Sequence, residues 1–395
     1  MMMWLNKANF YLVAWCIYSL QGALYPTGSI IAKVLIAVLL FVSLYHCFVV
    51  NAYYKIPKLF VGINILLALF SVYGILLILF FDPSDYAIPV SSFDYLKDIL
   101  ISFLPIYSFY FFSKEKLISE KKIRFWFIVF LVIITVNYFA HQKEMLLSAM
   151  LIGSNRDEFT NNVAYSFLAL IPAFVYFFRW PILQYFFVGY VTYFLLMGMK
   201  RGAILVGAVC IFLFLLNNMK NKTTKMKILF LFFSITLVFA GFVFVQKMVE
   251  NSLYFQTRIE RTLDGDSSGR DYLYTRFVDY FWTEATPINF IFGSGANATI
   301  KVSSNYAHND WLEIVVNQGL WGVLIYALYF VLFVREAFFG KYDSESKLAI
   351  QLIFMICFVK SFFSMSYGGN ELFVTFILGY ALTQERDNEQ VVYGV

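Results

Sequence analysis

Charge is the scarcest ingredient of this 395-residue chain: 14% of its residues are Asp, Glu, Lys or Arg, against 61% hydrophobic. A soluble domain carries roughly a quarter charged residues, so a water-soluble globular protein is excluded. Cysteine is equally sparse. Cys16, Cys47, Cys210 and Cys357 stand alone in apolar runs, without metal-site spacing, and read as buried packing residues. With three histidines in the chain and no His/Cys cluster or DxD-like carboxylate pair, neither a metal ion nor another cofactor is expected. Asp264-Gly265-Asp266 comes nearest and reads as a solvated turn. No basic patch interleaved with aromatics suggests nucleic acid. The first apolar run follows Lys7 without a small-x-small cleavage site, so a span rather than a removable signal is expected there. No internal repeat is visible, and with it the inverted-repeat signature of many transporters is missing.

What is abundant is apolar length. Hydrophobic runs lie near 9–24, 29–50, 59–81, 97–113, 125–140, 161–178, 181–199, 201–217, 228–247, 309–334, 347–365 and 369–384. Many reach the ~20 residues that cross a bilayer as helix, and the shorter ones suggest tilted or irregular segments. The expected fold is a single all-α polytopic membrane domain, residues 1–395, with about 12 transmembrane helices. Aromatics, 21% of the chain, suffice for interfacial belts and for the bundle interior. Lysine and arginine recur in every second connection: Lys7; Lys55 and Lys58; Lys114 to Arg124; Arg179; Lys220 to Lys227; Arg335 to Lys347. The positive-inside rule makes those connections cytoplasmic, with both termini inside.

The alternate side then holds everything unusual. Lys200-Arg201-Gly202 sits there between two apolar runs, against the charge bias, where cations usually face an anionic ligand or a carboxylate. Residues 141–160 include Arg156, Asp157 and Glu158, and 248–308 form the one large hydrophilic loop, with Arg258, Arg261, Arg270 and Arg276. Within this loop Asp271–Trp282 suits a short amphipathic helix and Gly293–Asn297 a turn. The loop ends in Asn305-Tyr306-Ala307-His308-Asn309-Asp310-Trp311-Leu312-Glu313 and passes directly into the tenth span. Asn309, Glu313 and Asn317 follow at i, i+4 and i+8, one polar ridge with His308 at its head.

Arginine forks suit diphosphate oxygens and keep their charge; histidine suits general-base work near neutrality. Arg201, Arg270 and His308 on one side therefore suggest a site that clamps a phosphorylated lipid and moves a proton. Each residue also has a plainer reading: an interfacial arginine as a snorkelling anchor, a histidine as a helix-start residue. Arg156 either contacts lipid phosphate or glycan or forms a surface ion pair, and Arg258, Arg261 and Arg276 either add positive potential around the diphosphate or pair with the loop's own carboxylates. Glu313 either pairs with Lys360 or positions His308, and Tyr306 offers a ring for sugar stacking.

His308-Asn309-Asp310-Trp311-Leu312-Glu313 followed by Gly319-Leu320-Trp321-Gly322 resembles the C-terminal signature of the O-antigen ligase/polymerase superfamily, bacterial envelope glycosyltransferases of GT-C type. Lys200-Arg201-Gly202-Ala203, Ser268-Gly269-Arg270-Asp271 and Phe292-Gly293-Ser294-Gly295 resemble further family elements in the expected order, and Asn161-Asn162 before Pro172 adds a looser match. The resemblance covers residues 155–334. It implies transfer of a glycan from undecaprenyl diphosphate to an acceptor hydroxyl on the periplasmic face of the inner membrane. It also implies His308 as base, Arg201 and Arg270 on the diphosphate, and no metal. Arg156, Lys200, Arg258, Arg261, Tyr306, Asn309 and Glu313 are the further substrate-binding candidates. The implied partners are the lipid-linked oligosaccharide, an acceptor glycan on a second lipid carrier or on lipid A-core, membrane lipids and a chain-length regulator. The form Ala307-His308-Asn309-Asp310 before an aromatic favours a polymerase over a ligase. A flippase, the non-enzyme alternative, would need a cationic cavity open to both sides.

Overall fold

The computed structural model describes residues 6–86, 88–151, 160–220, 224–251, 256–257, 260, 270–364 and 372–385. Among them every regular element is helical, with two isolated β-bridges. We number the helices α1 (Lys7–Ser19), α2 (Ile30–Tyr53), α3 (Lys58–Leu79), α4 (Ser92–Phe103), α5 (Pro105–Lys114), α6 (Glu120–Leu151), α7 (Ala164–Leu168), α8 (Pro181–Met197), α9 (Arg201–Lys220) and α10 (Thr224–Asn251). They continue as α11 (Arg270–Asp279), α12 (Pro287–Phe292), α13 (Ala298–Ser303), α14 (Asp310–Val334), α15 (Ser344–Phe363) and α16 (Leu372–Ala381). Seven helical stretches among the described residues are long and apolar enough to cross a membrane, with α4 and α5 counted as one stretch. The other hydrophobic runs are occupied by α10 and by shorter apolar helices. The chain is an all-α polytopic membrane protein.

Local chemistry sets the boundaries. Asn6, Ser29 and Asp343 cap α1, α2 and α15 by accepting the first free amides of each helix, as polar caps do where backbone donors have no helical partner. Pro105 opens α5 at the joint with α4. The expected span 161–178 is not a regular helix: α7 is five residues long and gives way to a 3-10 turn over Ile171–Phe177 with Pro172 at its start. Every residue of that turn is buried. Irregular backbone at membrane depth persists only where protein encloses it. Phe127 packs edge-on against Phe174, Phe177 and Phe187 at centroid separations of 6.0, 5.1 and 4.6 Å, so the aromatic surplus fills the interior, where such pairs contribute about 1 kcal/mol each beyond contact area.

Two expected boundaries change. Residues 141–151 do not form a loop but continue α6, a 32-residue helix, because His141–Leu151 contains good helix formers and no glycine or proline. At 1.5 Å per residue α6 outruns a ~30 Å hydrocarbon core. Likewise α10 runs to Asn251, and most of the described part of the expected 248–308 loop is helical. The amphipathic helix expected there is α11, closed by a π-turn at Tyr280–Glu284.

Contacts sort the connections into two ends. The Lys58 amide donates to Glu336 at 2.7 Å, and Tyr54 to Glu115 at 2.6 Å. The Asp343 amide donates to the Gln384 carbonyl at 3.1 Å, and Trp126 reaches Asn9 at 3.4 Å. The lysine-rich turns and both ends of the described chain thus gather at one end of the bundle. At the other end α3 donates from Tyr73 to the Phe292 carbonyl, and Lys301 pairs with Asp85 at 2.6 Å.

The glycine-rich segment shapes that second end. Helix α14 breaks at Gly319, whose φ of 68° and ψ of −165° lie outside helical space. The break removes helical partners from the Val316 and Asn317 carbonyls, and the amides of Ser294 and Gly295 take their place at 2.9 and 3.0 Å. A Cβ on Gly319 would stand 2.4 Å from the Gly293 nitrogen, and one on Gly293 2.3 Å from the Asn317 oxygen. Two strands of backbone therefore touch where neither glycine admits a side chain. Gly319→Ala should lower the apparent Tm of the detergent-purified protein by several degrees, a loss of about 2 kcal/mol or more. Gly189→Ala, in a position with nothing within 4 Å, should leave it nearly unchanged. Equal Tm values for the two variants would contradict the tight seam.

Candidate active site

The seam carries the His308 loop. Glu313, fully buried on the first turn of α14, accepts from the Ala307 amide at 2.6 Å, Thr299 Oγ1 at 2.7 Å and Asn317 Nδ2 at 3.3 Å. Its hydrogen bonds thus come from the loop, α13 and its own helix, and the pair expected with Lys360 is not the one formed. Lys360 instead stands over the Tyr165 ring at 5.4 Å. A buried carboxylate is tolerable when several donors converge on it, and these donors hold the peptide immediately before His308. His308 itself adopts φ 52°, a conformation uncommon for a residue with a side chain and kept only where the surroundings enforce it.

The next residues fasten the loop on its other side. Asn309 caps α14 by accepting from the Trp311 and Leu312 amides at 2.9 and 3.2 Å, and its Nδ2 donates to the Phe362 carbonyl at 3.2 Å. Buried Asp310 accepts from Tyr326 at 2.7 Å. Trp311 donates to Ser361 at 3.1 Å and stacks against Phe330 and Phe362. Of the expected polar ridge, Asn309 serves as cap, while Glu313 and Asn317 face the interior.

Beside this loop a cavity of about 380 Å³ is lined by Tyr165, Lys200, Arg201, Gly202, Leu205, Arg270, Asp271, Tyr274, Phe362 and Phe363. Its size falls in the range of small-molecule clefts. Three cations face one carboxylate there, and Leu205, Phe362 and Phe363 make one side apolar. Each cation arrives on a defined element. Met199, at φ 51°, turns the chain between α8 and α9, and Arg201 opens α9. Asn161 braces that turn: its amide donates to the Gly198 carbonyl at 2.9 Å and its Nδ2 to the Tyr138 carbonyl at 2.9 Å. Arg270 opens α11, and Phe277 seats α11 in a small core with Ala298, Ala307 and Val316.

His308 precedes Asn309, whose bond to Phe362 ties the loop to the cavity lining. Partial desolvation, and then the positive charges of Arg270 and Lys200, push its imidazole below the ordinary histidine value. Burial, then the charges of Glu313, Asp98 and Asp94, push the Tyr306 phenol up. Arg276 forms an ion pair with Glu284. Arg156, Arg258 and Arg261 lie outside the described residues, as do Ser268 and Gly269 of the loop motif. Sequence reasoning missed Tyr165, Tyr274, Phe362 and Phe363; among so many aromatics they carry no signal until the fold places them. Thr299 was missed too, because a threonine before a polar turn has no distinguishing pattern.

The bundle and its cleft define a polytopic membrane protein with a cationic, half-apolar site at one end. Residues 186–327 match the family model for O-antigen ligase. The matched segment contains Lys200, Arg201, Arg270, His308, Asn309 and Glu313. No curated protein matches the sequence.

The electrostatics of His308 are directly measurable, since the chain has three histidines. In histidine-labelled protein the His308 resonance should titrate below the usual midpoint near 6.5. Lys200→Met removes one depressing charge and should move the midpoint upward. An unchanged midpoint would show that Lys200 does not face the ring.

Proposed function

We propose that the chain is a membrane glycosyltransferase that polymerises undecaprenyl diphosphate-linked oligosaccharide repeat units into O-antigen or a related surface polysaccharide at the periplasmic face of the inner membrane. The observation that carries this reading is the convergence of Lys200, Arg201 and Arg270, from the starts of two helices, in one cavity tied through Phe362 to the loop of His308 and Asn309. The diphosphate binds among the three cations, with the arginine forks taking its oxygens bidentately. The apolar wall of Leu205, Phe362 and Phe363 leads the polyprenyl chain towards lipid.

The reaction then needs two things. His308, neutral because its surroundings disfavour a further positive charge, takes the proton of the acceptor hydroxyl as that oxygen attacks the anomeric carbon of the donor. The bond from that carbon to the diphosphate oxygen breaks, and undecaprenyl diphosphate leaves with the electron pair. Arg201 and Arg270 stabilise the charge that grows on it, a contribution of about 10²–10³ in rate for a well-placed donor. Neither step calls on a metal ion. The acceptor is the growing chain on another lipid carrier, and a chain-length regulator would act on that chain. A second reading, a ligase whose acceptor is lipid A-core, is equally consistent with the family model, described as O-antigen ligase. A flippase fits less well, since it would need one cationic cavity open to both sides, and Lys200, Arg201 and Arg270 gather at one end of the bundle.

Purified protein, a defined undecaprenyl diphosphate-linked repeat unit, and lipid A-core present or absent separate these readings. A ladder of longer lipid-linked glycans without core is the expected product; glycosylated core alone would establish the ligase instead. His308→Ala should lower turnover by about 10²–10⁴ while donor binding stays nearly intact. Arg201→Lys should remain poor, because one ammonium does not reproduce a planar fork. Loss of donor binding in His308→Ala, or full activity of Arg201→Lys, would overturn these roles.

A further inference from the structure

A second concavity lies at the lysine-rich end, outside the site just described. Lys121, Arg124, Phe125, Ile128, Phe177, Trp180 and Leu183 enclose an open-sided groove of about 370 Å³. It forms where the start of α6 meets the turn into α8. Trp180 and Met197 stand at opposite ends of the 17-residue α8, so the groove is about 25 Å from the Arg201 turn along that helix.

The groove is built in two parts. At its polar part Arg124 is held from three directions: it pairs with Glu120, donates to the Tyr176 carbonyl at 3.1 Å and lies over the Trp180 ring at 4.5 Å. A guanidinium stacked on an indole is pre-oriented and keeps donors for a further anion. Lys121, exposed beside it, supplies a mobile second cation. The apolar part is buried Phe177 flanked by Phe125, Ile128 and Leu183, which are 41%, 47% and 38% exposed. Cations at one end and an indented hydrocarbon surface beside them match the two parts of a lipid whose headgroup is anionic. A neutral headgroup would leave the cations unused, and a soluble anion would leave the hydrocarbon surface uncovered.

We propose that this groove is a binding site for an anionic phospholipid, its phosphate between Lys121 and Arg124 and an acyl chain along Phe125, Ile128 and Leu183. The test is native mass spectrometry of the full-length protein in a zwitterionic detergent, with phosphatidylglycerol or phosphatidylcholine of the same acyl chains added. Phosphatidylglycerol should be retained preferentially, and Lys121→Ser should weaken its retention about fivefold, the effect of one cation near an anionic headgroup. Lys121→Arg should preserve it. Leu183→Trp fills the groove without altering charge and should lower retention as well. Equal retention of the two lipids, or selective retention that survives both Lys121→Ser and Leu183→Trp, would overturn the proposal. So would displacement of phosphatidylglycerol by inorganic phosphate at equal concentration, which would leave the apolar surface without a part in binding.

Discussion

The Glu313 carboxylate has to be satisfied in a place where no water can do it, and the far end of the bundle is arranged around that requirement. It draws in the Ala307 amide, the Thr299 hydroxyl and the Asn317 amide. Through these it ties together the His308 loop, α13 and α14. The same demand explains the neighbouring backbone. A helix that breaks inside a bundle exposes carbonyls that hydrocarbon cannot solvate, and at Gly319 the glycine-rich segment supplies amides for the Val316 and Asn317 carbonyls. The polar seam is therefore a structural necessity first. The placement of His308 beside Arg270 and Lys200 follows from it.

The two ends of the bundle bear cations in different ways. At one end lysines and arginines occupy turns between helices. At the other, Lys200, Arg201 and Arg270 face inward at the starts of α9 and α11, around a cavity with an apolar wall. Inward-facing cations near a membrane need an anion or a strong local partner. Asp271 shares that lining with them, and the three cations are what a diphosphate would meet in the proposed reaction.

Much of this could be read from residues alone. The hydrophobic runs located the helices because a ~20-residue apolar run in so uncharged a chain has few alternatives. The alternation of lysine-rich connections foretold which turns share an end, since that bias is a property of local composition. Arg201, Arg270 and His308 were legible as polar residues in unexpected places, and the first two line one cavity. What escaped was set by tertiary contact. The 3-10 turn at Ile171–Phe177 depends on enclosure by neighbouring helices, and α6 overruns its apolar run because helix propensity continues where hydropathy stops. The partner of Glu313 could not be deduced, because Thr299 and Ala307 approach it only after the loop folds back.

The central claim is that one cleft holds the diphosphate and the base together. It is tested most directly by the structure of the protein in a lipid nanodisc with a non-transferable undecaprenyl diphosphate-linked saccharide bound. The account predicts both phosphates within about 3 Å of guanidinium nitrogens of Arg201 and Arg270, the first sugar on the side of His308, and the polyprenyl chain leaving past Leu205 and Phe362. Phosphates bound elsewhere, with Arg201 and Arg270 turned to carboxylates of the protein, would contradict it.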